Sequence, residues 1–193
     1  MRRLLVILSL LVALGGVAWY IATDRPTAAL LPREPGTPLD SLNGVVVYHN
    51  GSMGHVNGRN VVDGYNVGLK YQCVEFVKRY YLDYYGHRMP NSYGHAKDLF
   101  EPAVVDGALN EQRALLQFTN PSAERPRVGD LVILDAWRGN AYGHVAIVSA
   151  VQDDELEMIQ QNTGSTRQQY DLEQQDGQWL IDNDRVLGWL RMP

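Results

Sequence analysis

One long helical pattern, CVEFVKRYYLDYYG from Cys73, stands ahead of a succession of short strand-like stretches. Val77, Tyr80, Tyr81 and Tyr84 recur at three- and four-residue spacing with Cys73 on the same side, which predicts an amphipathic helix stopping at Gly86. Behind it, PRVGDLVIL, GHVAIVSAV, ELEMIQQN and RVLGWLRM read as strands joined by hairpin-length loops, and HAKDLF reads as a second, short helix. Ahead of it, GVVVYHN reads as a short strand, and the Gly- and Asn-rich GSMGHVNGRNVVDGYNVG reads as a long loop. One main helix at the front and several strands behind restrict the domain to the α+β class with an antiparallel sheet.

The N-terminus sets a second constraint. MRRLLVILSLLVALGGVAWYIATDR carries two arginines and then no charge from Leu4 to Thr23. That is about 20 residues, enough to span a bilayer as a helix at about 1.5 Å per residue. Arg2 and Arg3 ahead of the run predict an N-in orientation with the body exported. Gly16 and Ala18 offer a small-x-small cleavage pattern, so secretion after cleavage is the alternative. The length of the run and the Trp19-Tyr20 pair at its end favour an uncleaved anchor. The expected organisation is a signal-anchor over 1–23, a Pro-rich linker or wrapped arm over 24–42, and one domain over 43–193. The net charge of −5 and the lack of a basic patch exclude a nucleic-acid partner, leaving the membrane as the expected contact of the N-terminal helix.

Cys73 is the only cysteine, so it forms no internal disulfide and no cysteine zinc site. It is apolar filler, an intermolecular link or a reagent. At the start of the predicted helix, unpaired N–H groups stabilise a thiolate and can hold a developing oxyanion, and Gln72 adds a neutral donor beside it. A nucleophilic thiol also needs a base, and the base needs a third group to orient it. The histidines are His49, His55, His87, His95 and His144. His144 opens the strand GHVAIV after a glycine-containing loop, where it can face a helix N-terminus packed across the sheet; the plain alternative is a hydrogen-bonded structural histidine. His49 and His55 flank a glycine-rich loop and read as solvated rather than as substrate-loop residues. For the third group, strand alternation places Met158, Gln160 and Asn162 on one face and Gln161 on the other. Gln160 and Asn162 can each accept from an imidazole N–H, and periodicity does not choose between them.

In that order, YQCVEF, PRVGDLVIL, GHVAIV, MIQQNTG and VLGWL resemble the CHAP domain (cysteine, histidine-dependent amidohydrolase/peptidase), a relative of NlpC-type and papain-like hydrolases. The likeness is greatest to the amidase domain of bifunctional glutathionylspermidine synthetase/amidase, and runs from about Gly44 to the C-terminus. The resemblance implies a papain-like fold and amide hydrolysis through a cysteine acyl-enzyme, without metal or cofactor. It implies Cys73 as nucleophile, His144 as base and Gln160 as orienting residue, where the amidase relative carries a glutamate. Gln72 and Asn162 are the expected oxyanion or supporting residues, Gln72 as the donor beside Cys73 and Asn162 from the same strand face as Gln160. The expected substrate is a peptide-like amide. An exported enzyme would act on peptidoglycan stem peptides, as an amidase or endopeptidase. The alternatives are an amidase on glutathionylspermidine-like γ-glutamyl or polyamine amides, and a membrane-tethered binding module that has lost catalysis.

Overall fold

The structure is a computed structural model that describes residues 32–193. The expected membrane helix over 1–23 lies outside the described residues. Among the described residues, no helix is long and apolar enough to cross a membrane. The chain divides at Arg33, and the domain is the unit Glu34–Pro193.

The domain is mostly sheet with one α-helix. Strands β5 (Leu109–Asn110), β6 (Leu115–Thr119), β7 (Leu131–Leu134), β8 (His144–Val151), β9 (Glu155–Ile159), β10 (Arg167–Gln175), β11 (Gln178–Ile181) and β12 (Val186–Arg191) form one antiparallel sheet in the order β11-β10-β9-β8-β7-β12-β6-β5. Two hairpins lie outside it, β1 (Pro38–Leu42) with β2 (Val45–Tyr48), and β3 (Arg59–Val62) with β4 (Tyr65–Leu69). Helix α1 (Cys73–Tyr85) covers one face of the sheet, and a single 3-10 turn, Lys97–Leu99, follows it.

Alternation along the central strands divides the core in two. Leu131, Ile133, Val145 and Ile147 join the cluster of Phe76, Val77, Tyr80 and Tyr81 from α1. Their neighbours Val132, Leu134, Ala146 and Val148 join Leu156, Met158, Leu172 and Trp189 on the opposite face. These central strands are therefore buried on both faces, which is why they read as continuous apolar runs.

Two expectations need correction. The last five residues of the expected linker form β1, and the expected long loop contains the β3–β4 hairpin. Both depend on a two-residue turn with positive φ at each position. Asn43 and Gly44 lie at 49° and 83°, Asp63 and Gly64 at 48° and 77°, and Asp176 and Gly177 repeat the device between β10 and β11 at 51° and 78°. Such turns match the twist of paired strands, and Asn-Gly and Asp-Gly are the dipeptides that adopt them most readily. In α1, Val77, Tyr80 and Tyr81 are buried as the spacing predicts, but Tyr84 is exposed. Gly86 stops the helix at φ 68, its N–H shared between Leu82 and Tyr81 carbonyls.

Arg167 on β10 ties β1 to the sheet. Its Nε and Nη2 donate to the Asp40 carboxylate at 2.9 and 3.0 Å, and its Nη1 donates to Glu157 Oε1 at 2.7 Å. The Arg167 guanidinium holds the Asp40 carboxyl down to about 2, against an ordinary 3.8. A carboxyl depressed on folding adds stability above its unfolded pKa and loses it as pH falls through the folded one. Wild type is expected to lose stability progressively from about pH 4 toward pH 2 through this pair. Urea melts across that range should show a shallower acid loss in Asp40→Asn.

Candidate active site

Cys73 is the first residue of α1. Its N-cap, Gln72, is extended (φ −88°, ψ 161°) and makes no side-chain cap. The first helical bond runs from Phe76 N–H to Gln72 O at 3.1 Å. The N–H groups of Cys73, Val74 and Glu75 therefore have no partner within the helix. A serine or aspartate at the cap would claim one of them. Instead the Gln72 side chain turns to its neighbours. Nε2 donates to His55 O at 2.9 Å, and Oε1 accepts from Asn162 Nδ2 at 2.5 Å.

Gly68 on β4 allows the helix start to settle this close to the hairpin. At φ +145° it tolerates a backbone unusual for other residues, and a Cβ there would sit 3.0 Å from both Cα and Cβ of Glu75. Gly68→Ala is expected to cost about 1–3 kcal/mol, since strain and backbone contact coincide. Thermal melts give the cost, and activity should fall with stability because the displaced element carries Cys73.

Strand β8 supplies the histidine. Gly143 turns the chain into β8 at φ +72°, where a Cβ would meet Leu134 O at 2.5 Å. His144 is buried, and its Nε2 lies 3.0 Å from Gln160 Oε1. Gln160 Nε2 donates to Ser165 O at 3.2 Å, which fixes the amide with its oxygen toward the ring. An amide oxygen only accepts, so Nε2 of His144 carries the proton and Nδ1 keeps the lone pair. Burial pushes the imidazole down to about 4, opposed by the Gln160 bond, with a further lowering from Arg185.

Cys73 packs against the start of β8. Burial pushes the thiol up, while the backbone N–H groups of Val145, Val74 and Cys73 itself pull it down. Val145 directly follows His144, so thiol and imidazole reach the same end of β8. No hydrogen bond joins them in this structure. Both groups rest in their neutral forms, and catalytic hydrogen bonds of resting enzymes commonly tighten only when substrate arrives.

The third position differs from the alternation argument. β9 ends at Ile159, and Asn162 is left-handed at φ 65°, so the two-residue period stops before it reaches Asn162. The structure brings Gln160 to His144 and takes Asn162 elsewhere. Asn162 donates to Gln72 Oε1 and to Met53 O at 2.9 Å, and accepts from Asn50 Nδ2 at 3.1 Å. Gln161, which strand spacing sets on the opposite face, is a buried tie. Its Nε2 donates to Gln72 O at 3.0 Å and Glu75 Oε2 at 3.1 Å, and its Oε1 accepts from Tyr48 N at 2.7 Å. Glu75 Oε1 in turn accepts from Arg79 Nε at 2.7 Å and Asn60 Nδ2 at 2.9 Å. Glu75 and Arg79 stand four apart in the sequence, a visible helical ion-pair spacing that could have marked this anchor. His87 bonds to Arg113 O, and His95 lies against the Tyr142 ring, so neither joins the group around Cys73. Among the described residues, no three His, Cys, Asp or Glu side chains cluster where a metal ion would sit.

A model of the CHAP domain matches residues 60–162, which contain Cys73, His144 and Gln160. The chain belongs to the CHAP domain family. Membership makes it a cysteine amidohydrolase by class. Trypanothione synthetase of Crithidia fasciculata is 30% identical over 149 residues, 70% of this chain and 23% of that protein. Bifunctional glutathionylspermidine synthetase/amidase of Escherichia coli (strain K12) is 32% identical over 108 residues, 54% of this chain and 17% of that one. The chain thus spans less than a quarter of the length of these curated relatives. A crystal structure of Ly7917 with the hydrolyzing product of MDP matches 37% of this chain and 30% of that one at 32% identity, with a TM-score of 0.28. That overlap is too small to inform the fold.

Proposed function

We propose that the chain hydrolyses amide bonds through a Cys73 acyl-enzyme in a papain-like arrangement, and that its substrate is the peptide part of peptidoglycan, reached from the exported side of a membrane. The observation that carries the catalytic reading is the Gln160–His144 bond beside an uncapped helix start bearing Cys73. Nδ1 of His144 takes the thiol proton as Sγ attacks the carbonyl carbon. The developing oxyanion meets the Cys73 N–H and the second N–H of Gln72 Nε2, the first being held by His55 O. The imidazolium returns its proton to the leaving nitrogen as the C–N bond breaks, leaving a thioester. Water, deprotonated by His144, then attacks the thioester and releases the acid and the thiol. Burial that keeps both groups neutral at rest is compatible with this cycle, because charge separates only when the carbonyl is in place to accept the attack.

The exported location rests on the apolar run behind Arg2 and Arg3. The second reading, hydrolysis of a glutathionylspermidine-like amide, rests on the relatives above. Incubation of the chain with purified peptidoglycan and with glutathionylspermidine, followed by mass analysis of products, separates the two. Release of stem-peptide fragments supports the wall substrate; cleavage of glutathionylspermidine alone supports the second reading. Carbonate extraction and protease accessibility of the full chain test the anchor and its orientation.

A further inference from the structure

Leu134, the last residue of β7, pairs with His144 on one side and with Val186 on the other. Arg185 directly precedes Val186. Its backbone therefore stands two strand spacings, about 10 Å, from His144, a gap that an extended arginine side chain largely closes. The guanidinium lies over the Trp137 ring, 4.5 Å from the ring centroid. Trp137 and Asn140 exchange backbone hydrogen bonds at 3.0 and 2.9 Å, and Asn140 Nδ2 donates to Gly143 O at 2.9 Å. The ring that carries Arg185 is thereby tied to the residue before His144. The charge reaches the imidazole: after burial, and against the Gln160 bond, Arg185 is a further cause holding His144 down.

That charge is uncommitted. Among the described residues, the Arg185 side chain makes no hydrogen bond and no ion pair. Asp184 precedes it and Asp135 N donates to its carbonyl at 2.7 Å, yet neither carboxylate pairs with it. The buried polar atoms without partners are His49 Nδ1, Arg113 Nε, Arg125 Nε and Trp189 Nε1. The Arg185 nitrogens are not among them, so solvent reaches them. At rest such a cation opposes catalysis, because it disfavours imidazolium. A carboxylate brought by the substrate would pair with the guanidinium and cancel that field as His144 takes the thiol proton. The amine half of the amide lies toward His144, since His144 protonates the leaving nitrogen.

We propose that Arg185 is a specificity-determining residue that pairs with a carboxylate on the leaving-amine half of the substrate, so that the enzyme prefers amides releasing an amino acid or peptide with that carboxylate free. This assignment rests on hydrolysis by Cys73 and His144 and narrows the substrate class. A polyamine leaving group would set like charges together at Arg185 and is disfavoured.

The test uses the full chain and two probes, the stem tripeptide L-Ala-γ-D-Glu-L-Lys and the same peptide with its C-terminal carboxyl converted to a primary amide. Wild type should cleave the bond to lysine with kcat/KM about 10- to 100-fold higher for the free acid, the range for one hydrogen bond to a charged group. Arg185→Gln should bring that ratio near one, and Arg185→Lys, which keeps the charge, should restore much of it. A wild-type ratio near one, or an equal loss on both peptides in Arg185→Gln, overturns the assignment. If neither peptide is cleaved, the wall-peptide reading fails for this bond, and alkylation of Cys73 decides Arg185 separately. Iodoacetate and iodoacetamide differ in a carboxylate against an amide, and the thiolate fraction cancels in the ratio of their rates. A ratio that falls several-fold in Arg185→Gln and is kept in Arg185→Lys supports the assignment; a ratio unchanged in Arg185→Gln, or lowered equally in both variants, overturns it.

Discussion

Cys73→Ala is expected to lower amide hydrolysis by about 10⁴-fold or more while leaving the domain folded, because removing the nucleophile of a cooperating group costs nearly the whole chemical acceleration. The structure separates this outcome from a packing effect. Cys73 is half-buried and sits at the first position of α1, whereas the helix is anchored further along by Phe76, Val77, Tyr80 and Tyr81 and by the Glu75–Gln161 bond. Loss of one sulfur at that edge should cost about 1 kcal/mol, the ordinary size of a modest truncation. Cys73→Ser should be equally inactive, since a hydroxyl is far less acidic than a thiol and its shorter C–O bond draws the nucleophile back from the position the sulfur occupies. Circular dichroism and thermal melts establish folding, and kcat/KM on the substrate found by product analysis establishes activity. A folded alanine variant with wild-type turnover would remove Cys73 from the mechanism and reinstate it as filler. The thiol is pushed up by burial, so alkylation of Cys73 should accelerate as pH rises above neutrality, when the thiolate becomes accessible.

The parts of the domain legible in its sequence are those where one physical rule acts alone. β7, β8 and β12 are apolar on both faces, and α1 carries a helical period over its buried residues, so each announces itself. β10 does not. RQQYDLEQQ buries only Leu172, because its residues mostly face water and its pairing is made by backbone groups. β6 was hidden differently. Gln117 is fully buried in its middle, satisfied by Asn110 Nδ2 at 2.9 Å and Glu101 O at 2.8 Å, and breaks the apolar pattern. The hairpins at Asn43-Gly44 and Asp63-Gly64 carried a sequence signal, outweighed by prolines before one and by glycines and asparagines before the other. At the site, strand spacing could suggest His144, Gln160 and Asn162 but could not foresee that β9 stops at Ile159. That stop lets three consecutive residues serve three different partners: Gln160 the imidazole, Gln161 the helix start, Asn162 the Gln72 side chain.

This division makes the three positions separable by mutation. Gln160→Ala releases the imidazole from its side-chain partner and should lower kcat/KM by about 10²-fold, the lower end of what a positioned acid–base group supplies. Asn162→Ala should cost less, since it loosens Gln72 while His144 keeps its bond. Gln160→Glu tests electrostatics at constant shape. An amide fixes the ring but does not favour its charge, and burial holds His144 down to about 4 against an ordinary 6.5. A carboxylate in the same place stabilises imidazolium, raises the histidine pKa and favours the thiolate–imidazolium pair, so activity should be kept or increased. The acidic limb of the pH–rate profile belongs to thiol and imidazole as a coupled pair, so the titration is better read directly at the ring. The imidazole ¹⁵N midpoint should rise in Gln160→Glu and stay in place in Asn162→Ala. Stability follows the same sign. A histidine depressed on folding contributes stability above its unfolded pKa and loses it as pH falls toward the folded one, so wild type should weaken between about pH 6.5 and 4. Gln160→Glu should flatten that loss. If Asn162→Ala is the crippled variant while Gln160→Ala works nearly normally, Asn162 orients His144 during turnover and the resting Gln160 bond is not the catalytic one.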